Sequence, residues 1–177
     1  LRYFFALNPP AEVRDRMVRL QRDWNLPARA IPARNFHITL AFLGELCEKR
    51  FDRARSAASG LVLPAEQLVL DRLGAFPRAR VAWVGCGDVP AGLAAFRQAL
   101  VSSLLDEGLE IDTRPWKPHV TLYRELRTGY ENVLFEGIEW PVDSWQLMRS
   151  VSGPRGVEYH IKGSWPAEFA GDVRASP

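Results

Sequence analysis

Residues 35–44 read Asn-Phe-His-Ile-Thr-Leu-Ala-Phe-Leu-Gly, and residues 117–124 read Lys-Pro-His-Val-Thr-Leu-Tyr-Arg. Both contain His-x-Thr-Leu inside a β-branched, apolar run, the composition of a buried strand. Side chains alternate faces along a strand, so His37 and Thr39 share one face, about 7 Å apart. Ile38, Leu40 and Phe42 take the other. The second copy sets His119 and Thr121 against Val120 and Leu122. The chain has three histidines, and two of them occupy these matched positions, 82 residues apart.

Reading outward, Tyr3 to Leu7 is a strand. Pro9-Pro10 then introduces a helix with Val13, Met17, Leu20 and Trp24 on one face. His37 to Leu43 forms the next strand, stopped by Gly44. Cys47 to Ser59 reads as a helix with Phe51, Ala54 and Ala58 on one side. Gln67 to Phe76 and Arg80 to Cys86 form a strand pair around Pro77-Arg78. Pro90 to Leu105 is a helix, and His119 to Tyr123 a strand. Val142 to Val151 and Val157 to Lys162 make a hairpin about Gly153-Pro154-Arg155-Gly156. The tail from Ala167 is expected to fray. Hairpins interleaved with helices predict an α+β fold rather than a doubly wound sheet. The repeated tetrapeptide predicts two related lobes facing each other, with both His/Thr faces turned into one cleft.

Basic and acidic residues nearly balance, 23 against 21, so net charge does not point to nucleic acid. The two cysteines, Cys47 and Cys86, fit no Cys-x-x-Cys pattern and suit a reducing compartment. The apolar run at the N-terminus is too short for a signal peptide or a membrane span. A cytoplasmic protein without a membrane partner is expected.

Two imidazoles and two hydroxyls in one cleft suit cleavage of a cyclic phosphodiester. One neutral imidazole takes a proton from water, and one imidazolium returns a proton to the departing sugar oxygen. The threonines donate to the non-bridging oxygens. The sequence holds no His-Glu-x-x-His and no carboxylate cluster beside either motif, so no metal or cofactor is expected. No Gly-x-Ser-x-Gly elbow supports a serine hydrolase. His160 lacks the pattern and reads as a strand surface residue.

With these residues in view, the chain resembles the 2H phosphoesterase superfamily. Within it, the chain is similar to the RNA 2′,3′-cyclic phosphodiesterases, LigT-like proteins historically called 2′-5′ RNA ligases. The resemblance runs from Arg2–Leu7 through the two extended motifs. It takes in Gly74-Ala75-Phe76-Pro77, Val81–Gly85, Ser150, Gly156 and Tyr159. It implies one bilobal α+β domain over 1–177, with two antiparallel sheets facing a cleft and helices outside. It implies hydrolysis of an RNA 2′,3′-cyclic phosphate to a 2′-phosphomonoester, with reversible 2′-5′ joining in some members. His37 and His119 would be catalytic, and Thr39, Thr121 and Arg124 would bind phosphate. Strict alternation places Arg124 opposite His119, so it reaches the cleft only if the strand bends or bulges. As a working assignment, His119 activates water and His37 protonates the 3′ oxygen.

The expected partner is RNA with a cyclic end or a small cyclic nucleotide, met by a monomer. An RNA-end binder without turnover is the reading from another class, and retention of all four His and Thr residues argues against it. Arg34, Arg78, Arg80, Arg114, Lys117, Arg149 and Arg155 are candidates for the backbone. Phe36 and Trp116 are candidates for stacking on a base.

Overall fold

A computed structural model describes residues 2–127, 130, 132–154 and 156–168. The order is β1 (Arg2–Leu7), α1 (Ala11–Trp24), β2 (Arg29–Ala30), a 3₁₀ turn (Ala33–Asn35), β3 (Ile38–Gly44), α2 (Glu48–Ser59), β4 (Leu63–Pro64), β5 (Glu66–Phe76), β6 (Val81–Gly85), α3 (Ala91–Asp106), β7 (His119–Arg124), β8 (Val133–Val142), β9 (Ser144–Gly153) and β10 (Gly156–Glu168). The fold is α+β, as expected. The strands follow one hydrogen-bonded path, β4-β10-β9-β1-β3-β7-β6-β5-β8, with β2 added to β7. The two antiparallel halves meet at a single pair, Ile38 with Val120. The expected pair of sheets is therefore joined along one seam, and that seam runs between the two His-x-Thr-Leu strands.

The apolar faces explain the layering. Ile38, Leu40, Val120 and Leu122 are buried in the same core as Phe5, Met17, Leu100 and Trp145. Burying each such side chain contributes about 1.5–3 kcal/mol. α2 and α3 pack together, and the Ser103 hydroxyl donates to the Ala57 carbonyl at 3.1 Å. α1 reaches β8, where Arg16 donates to the Gly137 carbonyl at 3.0 Å. The opposite face carries a small cluster of Phe4, Ala6 and Met148 with Tyr159 against it.

Four expectations change. β8 is an unpredicted strand, and the strand expected from Val142 begins instead at Ser144. Gly137 and Pro141 disguise β8, yet Ile138, Trp140 and Val142 point inward while Glu139 and Pro141 point out. The strand is the edge of the path, where proline costs no ladder bond. Two-residue β2 and β4 are too short for any periodic signal. β10 continues past Lys162, and Ala167 and Glu168 pair in parallel with Leu63 and Pro64 rather than fraying. Phe42 is 50% exposed rather than in the core. The rest of the tail lies outside the described residues, as does Arg155.

Candidate active site

The seam sets the geometry. β3 and β7 are antiparallel, with Ile38 opposite Val120. That register brings His37 across from Thr121 and Thr39 across from His119, all on the face turned away from the helices. Directly opposed side chains lie about 4.5–5.5 Å apart at Cβ, and diagonal ones about 7–8 Å. Continued one step each way, the register makes the two imidazoles a diagonal pair. All four residues line one cleft of about 950 Å³, with Phe4, Arg34, Phe42, Arg124 and Tyr159 among its other walls.

Each imidazole is fixed in the same way. His37 Nδ1 lies 2.7 Å from the Asn35 carbonyl, and His119 Nδ1 lies 2.6 Å from the Lys117 carbonyl. A carbonyl only accepts, so Nδ1 carries the hydrogen and Nε2 is the atom that titrates. Each ring is also flanked by two aromatics. His37 sits between Phe4 and Tyr159, at centroid distances of 4.9 and 5.0 Å. His119 sits between Phe76 and Trp83, at 5.0 and 6.1 Å. The Trp83 indole lies across two glycines. A Cβ on Gly74 would come within 2.4 Å of it, and one on Gly85 within 3.0 Å. Any larger residue at Gly74 would push Trp83 off its seat beside His119.

Burial among these rings disfavours the charged imidazole. It drives His37 down to about 4, opposed by the Asn35 hydrogen bond and assisted by the positive charges of His119 and Arg124. His119 is also lowered by burial, against the Lys117 hydrogen bond. Burial raises the Tyr159 phenol, and Arg124 opposes that rise. One cation thus acts on both His37 and Tyr159 inside the cleft.

Arg124 reaches the cleft through a bulge. Ala82 pairs with Tyr123 but Trp83 pairs with Thr121, which leaves Leu122 as an extra residue. Leu122 and Tyr123 then both face the core, and Arg124 returns to the cleft side. β3 has the matching irregularity. Phe5 pairs with Ala41 and Ala6 with Thr39, which leaves Leu40 extra. Leu40 and Ala41 are both buried, and Phe42 turns into the cleft. In each strand the residue five positions after the histidine joins the site.

The candidate RNA contacts fare differently. Phe36 is 2% exposed, packed in the core, and presents no face to a base; this corrects the expectation. Trp116 packs against the core, and its indole N–H donates to the Thr39 carbonyl at 2.9 Å, so it supports β3 from behind. Arg114 is held outside the cleft by Asp112 at 2.9 Å. Lys117 contributes its carbonyl to His119, and its side chain is not among the lining groups. Phe42, half exposed, lines the cleft, and the arginines lining it include Arg2, Arg29 and Arg34. One signal could have found Phe42: it stands five residues after His37, as Arg124 stands five after His119. His160 is exposed and is not a lining residue.

Among the described residues, no three His, Cys, Asp or Glu side chains are grouped to hold a metal. No described helix is long and apolar enough to cross a membrane.

Residues 9–154 match the 2′-5′ RNA ligase superfamily model. The RNA 2′,3′-cyclic phosphodiesterase of Escherichia coli (strain K12) is 36% identical over 127 residues, covering 70% of this chain and 72% of the relative. That of Thermus thermophilus is 33% identical over 178 residues, covering 91% and 87%. The crystal structure of E. coli LigT complexed with 3′-AMP superposes with a TM-score of 0.85 at 29% identity, over 94% of this chain and 97% of that one.

Proposed function

The chain belongs to the 2′-5′ RNA ligase superfamily, and from that premise we infer that it is an RNA 2′,3′-cyclic phosphodiesterase. The observation that carries the reading is the square of His37, Thr121, His119 and Thr39 across one antiparallel seam. In the reaction, a water oxygen bonds to phosphorus and its proton passes to one imidazole Nε2. The bond from phosphorus to O3′ breaks, and the other imidazolium supplies the proton that O3′ takes up. The product is a 2′-phosphomonoester. Thr39, Thr121 and Arg124 face the non-bridging oxygens, where negative charge accumulates. Reversible 2′-5′ joining follows when an RNA 5′-hydroxyl takes the place of water: its oxygen bonds to phosphorus, the bond to O3′ breaks, and the same two imidazoles take and supply the protons.

In the free protein His37 is a weak base, because its ring is buried beside two positive groups. A bound anionic phosphate raises both imidazoles, since it favours their charged forms. Assigning water to His119 and O3′ to His37 requires the bound phosphate to stabilise His37 as the imidazolium, with its proton taken from solvent. Residues 1–177 are read as one domain of two lobes related about the Ile38–Val120 pair. The four central groups come from one chain, so a monomer suffices. The free thiols of Cys47 and Cys86 agree with a cytoplasmic setting.

Product analysis tests the reading. An oligoribonucleotide ending in 2′,3′-cyclic phosphate, incubated with the protein in EDTA, is expected to end in 2′-phosphate. Bound but unaltered RNA, or a 3′-phosphate product, would overturn it.

A further inference from the structure

Beyond the catalytic cleft lies a second concavity of about 450 Å³, lined by Pro27, Ala28, Arg29, Arg80, Glu125 and Arg127. Arg29 lines both. The sheet explains the continuity. β2 pairs with the end of β7, Arg29 beside Arg124, and β6 flanks the same residue from the other side, Val81 beside Arg124. Neighbouring strands are about 4.8 Å apart. The notch therefore opens one step past the last cleft arginine, on the path of a chain that leaves the cleft along β7.

Its charge is unbalanced. Among the described residues three arginines face one carboxylate, and Glu125 is already paired with Arg29 at 2.9 Å. The frame behind it is fixed. The Leu126 amide donates to the Arg80 carbonyl at 3.0 Å, and Arg80 Nε donates back to the Leu126 carbonyl at 3.2 Å. Leu126 is 4% exposed. This buried residue anchors the turn and leaves Glu125 and Arg127 outside it. Arg80 is bonded through Nε, and among the described residues its two terminal nitrogens meet no other acceptor.

We propose that this notch binds the phosphodiester immediately upstream of the RNA's cyclic end, so that the enzyme favours an oligoribonucleotide over a mononucleotide. The proposal rests on the phosphodiesterase reading of the cleft. A 2′,3′-cyclic end is a chain terminus, so only one strand direction leaves the site, and its first group is a singly charged phosphodiester. Guanidinium forks suit that group. A mononucleotide 2′,3′-cyclic phosphate has no such phosphate and cannot use the notch.

The test compares a nucleoside 2′,3′-cyclic phosphate with a pentaribonucleotide ending in the same cyclic nucleotide. Wild type is set against Arg80→Gln, Arg127→Gln and the double variant. Wild type is expected to show higher kcat/KM on the pentamer. The double variant should lose about tenfold on the pentamer and stay within twofold on the mononucleotide. Its salt dependence on the pentamer should also flatten, by about 0.7 in log–log slope if one fewer phosphate is neutralised. Equal loss on both substrates, no loss on the pentamer, or no wild-type advantage for the pentamer would each overturn the notch while leaving the cleft intact. If wild type turns over neither substrate, the reading of the cleft falls and the notch with it.

Discussion

In the proposed mechanism, replacing either imidazole removes one of the two proton transfers, and His37→Ala or His119→Ala is expected to lower kcat by about 10²–10⁴-fold. Neither ring belongs to the main core, so both variants should fold, as a thermal melt would check. The pH dependence carries more information than the loss itself. The proposed mechanism requires one neutral and one protonated imidazole, which gives a bell. Both imidazoles are lowered in the free protein, His37 to about 4. The acid limb of kcat/KM therefore falls well below the usual histidine range, and the alkaline limb below 6.5. The variant that keeps only the base should lose activity on acidification alone. The variant that keeps only the acid should lose it on alkalinisation alone. Complementary surviving limbs are the expected result. The same limb surviving in both variants would contradict a division of labour between His37 and His119.

The second large effect belongs to the threonines. Each stands across the seam from the histidine of the other strand, with its hydroxyl in the cleft. Valine has nearly the same shape and a good strand propensity, so Thr39→Val and Thr121→Val delete one donor with little change in packing. Removing a donor aimed at developing charge costs about 10²–10³-fold in kcat. We expect each single variant to fall in that range, with kcat and kcat/KM lowered together. A loss confined to KM would show that the hydroxyls bind substrate without stabilising the transition state.

Much of this was legible in residues 35–44 and 117–124. Period-two alternation placed His37 with Thr39 and His119 with Thr121, and both pairs line the cleft. What alternation could not give was the fate of the next residues. The bulges at Leu40 and Leu122 arise from pairing with β1 and β6, a tertiary constraint with no local signature. They bring Phe42 and Arg124 into the site against the simple count. Phe36 misled because an aromatic beside a catalytic histidine looks available. It follows the 3₁₀ turn Ala33–Asn35, which delivers it into the core while Asn35 offers its carbonyl to His37. β8 was missed because Gly137 and Pro141 normally interrupt strands, and its place at the sheet edge tolerates both. Arg29 stayed hidden because a two-residue strand has no period to read.

In the proposed reaction two imidazoles flank one phosphate. The most direct measurement is an NMR titration of the histidine ring protons, in the free protein and with the 2′-phosphorylated product bound. Free His37 should titrate near 4 and His119 below 6.5. On binding, both should rise together. A rise at only one of the two cleft histidines, or at neither, would contradict the shared phosphate.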